Sequence, residues 1–85
     1  IIDANAAAVV GNFDCSKRQI TNLAGIEKFR SISQIFCFGN KLTNIDSIRN
    51  LNKLVLIDCH DNPLTQLPDL KRFPNLNYLW CSGCN

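Results

Sequence analysis

Four cysteines, Cys15, Cys37, Cys59 and Cys81, stand 22 residues apart along the chain. A fixed period of that size is the mark of stacked supersecondary units, and it limits the possible folds more than any other feature of the sequence. The period holds elsewhere. Val10, Ile32, Leu54 and Leu76 share one register, and Phe13, Ile35, Ile57 and Leu79 share another. Ile20, Leu42 and Leu64 form a third, followed by Leu23, Ile45 and Leu67, then Ile26, Ile48 and Leu70, then Phe29, Leu51 and Phe73. Thr21, Thr43 and Thr65 repeat as well, each followed by an amide residue, Asn22, Asn44 and Gln66. No insertion breaks the register from Val10 to Asn85.

Inside one unit the local pattern changes. Ile35-Phe36-Cys37 alternates inward and outward, as a short strand does. Asn40 and Leu42 follow. Ile45, Ile48 and Leu51 then recur every third residue, which predicts tight 3-10 or extended turns rather than a long α-helix. Each unit therefore runs strand, turn and return segment. One unit cannot bury its own ring of apolar side chains, whereas about three or more stacked units can. Asn40 and Asn62 occupy the same place after the strand. A buried Asn there is expected to bond its own turn and the next rung, satisfying backbone groups that the bend leaves unpaired. Arg18 and Cys84 take this place in the first and fourth units.

The run Leu54-x-x-Ile57-x-Cys59-x-x-Asn62-x-Leu64-x-x-Leu67-x-x-Leu70-x-x-Phe73, and its copy beginning at Ile32, resembles the leucine-rich-repeat family. The 22-residue spacing is similar to the class found in bacterial internalins and in phosphatase-regulator-type proteins. The resemblance implies an α/β chain: a short, curved leucine-rich-repeat solenoid with a parallel β-sheet on the concave face and 3-10 or extended return segments on the convex side. It also implies protein binding by the concave face. About three and a half repeats are expected, at residues 10–31, 32–53, 54–75 and, in part, 76–85. Residues 1–9 read as an N-terminal capping segment. Asp3 can cap a short helix there, and the Ala-rich run favours it.

The segment Leu79-Trp80-Cys81-Ser82-Gly83-Cys84 contains Trp-Cys-x-x-Cys, which in isolation suggests a redox site. Its context argues otherwise. Cys81 is the fourth member of the inward cysteine row, and Cys84 fills the Asn40/Asn62 place, where the family often accepts Cys. A redox pair also needs a helix starting at the first Cys to lower its thiol pKa, and only Asn85 follows the second. A metal site from Cys59, His60, Cys81 and Cys84 is disfavoured too, because His60 follows an inward residue and should point outward. No catalytic residue, cofactor or metal ligand is assigned, and the chain is read as a non-enzyme. Buried in-register thiols favour a reducing compartment such as the cytoplasm.

Function is expected on the outward positions of the strands. The central column is Asp14, Phe36, Asp58 and Trp80, and this face carries the only Trp and the only Tyr of the sequence. Exposed clustered aromatics mark interaction surfaces. The partner-binding residues are read as Phe36, Phe38, Leu56, Asp58, His60, Asp61, Tyr78 and Trp80. Phe36, Phe38, Tyr78 and Trp80 are the anchors, with Asp58 and Asp61 giving charge selectivity. His60 reads first as a solvated surface histidine and second as a pH-sensitive rim contact. The mixed charge of the return segments reads as a solvated surface.

The expected function is thus a non-catalytic module binding a protein partner on its concave face. The alternative is a terminal scaffold, or a self-associating piece, of a longer repeat protein without its own partner site. Net charge is +2, from nine basic and seven acidic residues spread along the chain, too weak and too mixed for nucleic acid. No apolar run approaches the roughly 18 residues of a membrane span, and the start lacks the basic flank of a secretory signal. The fourth strand ends without a cap. Either the native protein continues, or a second copy covers the edge in a homodimer.

Overall fold

A computed structural model describes residues 11–83. Four short strands, β1 (Gly11–Asp14), β2 (Ile32–Phe36), β3 (Leu56–Asp58) and β4 (Tyr78–Trp80), form one parallel sheet in sequence order. The register reproduces the sequence period. Asn12 pairs with Gln34, Gln34 with Leu56, and Leu56 with Tyr78, while Asp14, Phe36, Asp58 and Trp80 align in the same way. One irregularity falls between Gly11 and Asn12, where Gly11 adopts a φ of 84° that suits glycine.

Each return segment contains one turn of 3-10 helix, at Ile26–Lys28, Asp46–Ile48 and Leu70–Arg72. The three-residue apolar spacing explains this choice, because 3-10 geometry aligns residues i and i+3 on one side. The backbone bonds join the same residues. Ile48 N–H donates to the Ile45 carbonyl at 3.1 Å, Leu51 to Ile48 at 2.9 Å, and Leu54 to Leu51 at 3.2 Å. The Asn that recurs before these helices has a task as well. Asn22 Oδ1 accepts from Ala24 N–H at 2.6 Å and Asn44 Oδ1 from Asp46 N–H at 3.1 Å. Gln66 stands there in the third unit, and Asp69 caps instead, accepting from Lys71 N–H at 3.0 Å.

The core is a continuous column of Leu, Ile, Phe and Cys from successive rungs. Phe13 packs edge-on against Phe29, with centroids 5.2 Å apart. Asn40 and Asn62 are buried among these residues, and their bonds run opposite to expectation. Asn62 Oδ1 accepts from Leu42 N–H at 3.1 Å, and its Nδ2 donates to the carbonyls of Cys37 and Cys59, each at 3.0 Å. Asn40 likewise reaches Arg18 N–H, Ile20 N–H and the Cys15 carbonyl. Each Asn therefore ties its own turn to the preceding rung, not to the next. This also accounts for Arg18 in the first unit, whose bend is tied by Asn40 and needs no Asn of its own.

Two residues on core registers are not core. Leu67 is 39% exposed and Leu70 43%. Among the described residues no later return segment lies over them. The expected N-terminal helical cap at 1–9, Val10 and the place of Cys84 fall outside the described residues. Among the described residues, no helix is long and apolar enough to cross a membrane.

Candidate functional site

The face of the sheet turned away from the core carries the predicted residues, and three of them form a stack. The rings of Phe38 and His60 lie 4.6 Å apart and 10° from parallel; those of His60 and Trp80 lie 4.0 Å apart at 17°. The period brings this about. Ser16, Phe38, His60 and Ser82 form one column, and parallel strands set successive rungs about 4.8 Å apart, close to aromatic stacking distance. Trp80 belongs to the neighbouring column and leans across it, its Nε1–H donating to Ser82 Oγ at 2.6 Å. At the opposite end the Lys17 ammonium lies 5.9 Å from the Phe38 centroid, a cation–π contact.

Asp58 departs from expectation. It lies in the outward column yet is only 5% exposed, between Phe36 and Trp80 in register. Its Oδ1 accepts from His60 Nδ1 and from His60 N–H, the latter at 3.4 Å. Asp58 therefore acts as a bracket for the histidine rather than as an exposed charge. His60 is corrected with it. Its side chain is 15% exposed, held between two rings, and is not a solvated surface histidine. The equivalent pair in the first unit is Asp14 and Ser16, where Asp14 Oδ1 accepts from Ser16 N–H at 2.9 Å and from its hydroxyl at 2.7 Å. Those bonds hold the Asp14 carboxyl below its usual range.

The remaining predicted residues divide by exposure. Phe36, Phe38 and Leu56 are half-buried. Tyr78 is 49% exposed and Trp80 42%. The Asp61 side chain is 68% exposed, with Oδ2 3.8 Å from His60 Nε2. Lys17 and Ser82 join the site although they stood outside the predicted set. Their signal was present, since Ser82 shares the His60 column and Lys17 the Asp61 column.

That last column, Lys17, Gly39, Asp61 and Gly83, has a positive φ in every rung: 54°, 68°, 57° and 74°. Large and absent side chains alternate along it. A methyl on Gly39 would meet Lys17 Cγ at 3.0 Å, and one on Gly83 would collide with Asp61 Oδ1. Each glycine thus leaves room for the side chain of the rung before it.

Cys15 and Cys37 are poor nucleophiles. Burial, and then the Asp14 charge, raise the Cys15 thiol to about 11. Burial raises Cys37 further, helped by the neighbouring thiols of Cys15 and Cys59. Cys15, Cys37 and Cys81 are free thiols. Among the described residues no group of three or more His, Cys, Asp or Glu is arranged to hold a metal ion, and every buried side-chain polar atom has a hydrogen-bond partner.

No protein-family model matches the sequence, and no curated protein matches it. Solved structures do. A chain of the Drosophila melanogaster SNF/U2A' complex superposes with a TM-score of 0.74 at 18% identity, over 87% of this chain and 44% of that one. A functional domain of InlJ from Listeria monocytogenes, described as including a cysteine ladder, superposes with a TM-score of 0.71 at 26% identity, over 99% of this chain and 23% of that one. The chain spans less than half the length of either.

Proposed function

We propose that this chain, a leucine-rich-repeat solenoid, is a non-catalytic interaction module that holds a protein partner against the outward, concave face of its sheet. One observation carries the reading. The Phe38–His60–Trp80 stack presents a fixed aromatic surface there, with Tyr78 beside Trp80 and both exposed. Large exposed rings with few torsional freedoms are the usual anchors of protein interfaces, and ordering them before binding lowers the entropic cost of association. The similarity to a chain of a protein complex supports a protein as the ligand class.

The test is affinity capture with wild type beside a Tyr78→Ala/Trp80→Ala variant whose fold is verified by circular dichroism. A partner held by wild type and lost by the variant is the expected result. Identical captures from both would overturn the reading. They would favour the second one, a scaffold segment of a longer repeat protein, which is supported by the short span of the chain on its structural neighbours.

A further inference from the structure

Buried residues at every third position set the outward face of each return segment. Ile26, Phe29 and Ile32 are buried, as are Ile48, Leu51 and Leu54. The residues between them are all exposed: 27, 28, 30 and 31, then 49, 50, 52 and 53, then 71, 72, 74 and 75 in the third unit. They form a lateral strip along the stack, between the 3-10 turns and the starts of the strands. A further rung would lengthen this strip rather than cover it.

The strip sorts charges that are mixed in the sequence. It holds Lys28, Arg30, Arg49, Lys53, Lys71 and Arg72, six of the nine basic residues. Its one acid, Glu27, turns back along its own segment, both carboxylate oxygens accepting from Gly25 N–H. Asp46 and Asp69 stand at the starts of their turns, outside the strip. Helix polarity favours cations in a last turn, but Arg30 and Lys53 lie beyond it. Among the described residues the only ion pairs are those of His60, so none of the six cations is paired. Like charges held on one strip repel one another, and an anion laid along it relieves that repulsion.

We propose that this strip is a second interaction surface, and that its ligand is an acidic segment of a protein partner. The strip meets the strands at their starts, whereas the Phe38–His60–Trp80 stack stands at their ends, so the proposal does not rest on the sheet face. Three rungs about 4.8 Å apart span about 10 Å, the length of about three extended residues. Arg30, Arg49 and Arg72 can each take a carboxylate through two parallel N–H bonds. Nucleic acid fits less well. Its charge is continuous and would also run beside Glu27, Asp46 and Asp69, and the strip exposes no ring on which a base could stack.

The test is the fluorescence anisotropy of labelled octaglutamate at low salt, beside a uridylate oligomer of equal charge. Two variants each remove two cations: Arg30→Gln/Lys53→Gln on the strip and Arg18→Gln/Lys41→Gln off it. All four side chains are exposed, and circular dichroism verifies both folds. Octaglutamate should bind wild type more tightly than uridylate does. The strip variant should weaken it about fivefold or more, and the other variant about twofold or less. Equal losses in both variants would mean that net charge alone acts, and would overturn the proposal. No binding of octaglutamate, or a strip variant that binds it as wild type does, would overturn it too. Uridylate binding as tight as octaglutamate would make the strip a phosphate surface and sink the acidic segment. Tyr78→Ala/Trp80→Ala should keep octaglutamate binding whatever becomes of the sheet face; its loss there would move the acid to that face and overturn the strip.

Discussion

The second and third return segments have the same sequence pattern and opposite fates. Ile45 and Ile48 are 1% and 0% exposed, whereas Leu67 and Leu70, 22 residues later, are 39% and 43% exposed. The residue types are equivalent, and so is the 3-10 turn that carries them. The difference is the neighbour. The 3-10 turns at Ile26–Lys28 and Asp46–Ile48 pack on one another, and the third lacks such cover on its far side among the described residues. In a stacked chain an apolar residue is buried by the rung beside it as much as by its own. A core position is therefore a property of a pair of rungs, although it is written in one.

The largest test of this contrast is Ile48→Ala against Leu70→Ala. Ile48→Ala should cost about 2–5 kcal/mol by leaving a cavity, and Leu70→Ala about 1 kcal/mol or less. Urea denaturation of both variants measures the gap, and equal losses would break the comparison. Next comes the polar core. Asn62→Ala strands Leu42 N–H and the carbonyls of Cys37 and Cys59, so it should cost about 3 kcal/mol. Arg18→Ala, at the same place in the first unit, should cost about 0.5 kcal/mol or less, because that bend is tied through backbone groups to Asn40.

The smallest effect is expected in the cysteine row. Folding raises the Cys15 thiol from 9.0 to about 11, so the folded state holds that proton more tightly. Its contribution is fully present below the unfolded value and is lost as pH rises from 9.0 to about 11. Stability should fall across that window, by less in a Cys15→Ala variant. In a Cys84→Ser background at pH 8, Cys81, which is partly exposed, should react with iodoacetamide before Cys15, and Cys15 before Cys37. Equal rates would mean that the row opens as one unit.

Much of the fold was legible because equivalence at 22 residues needs no energetics. The strand positions, the tight return turns and the role of Asn as a backbone partner follow from spacing and hydrogen-bonding capacity. The direction of the Asn bonds did not, since a period says which residues are equivalent and not toward which neighbour a side chain leans. The outward placement of the candidate residues was legible, but their arrangement was not. Alternation correctly sets Asp58 and His60 on the outward side. It is silent on Trp80 crossing into the next column to meet Ser82, and that crossing closes the rings over His60. The enclosed His60 follows from it.

The backward reach of Asn40 and Asn62 gives the chain a direction in time as well as in space. On a ribosome the amino-terminal rungs emerge first. The first bend nevertheless gains its ties to the second rung only when Asn40 has left the exit tunnel, and the second bend its ties to the third only when Asn62 has. Each rung is thus provisional until its successor is made, so the nascent solenoid should consolidate one unit behind synthesis.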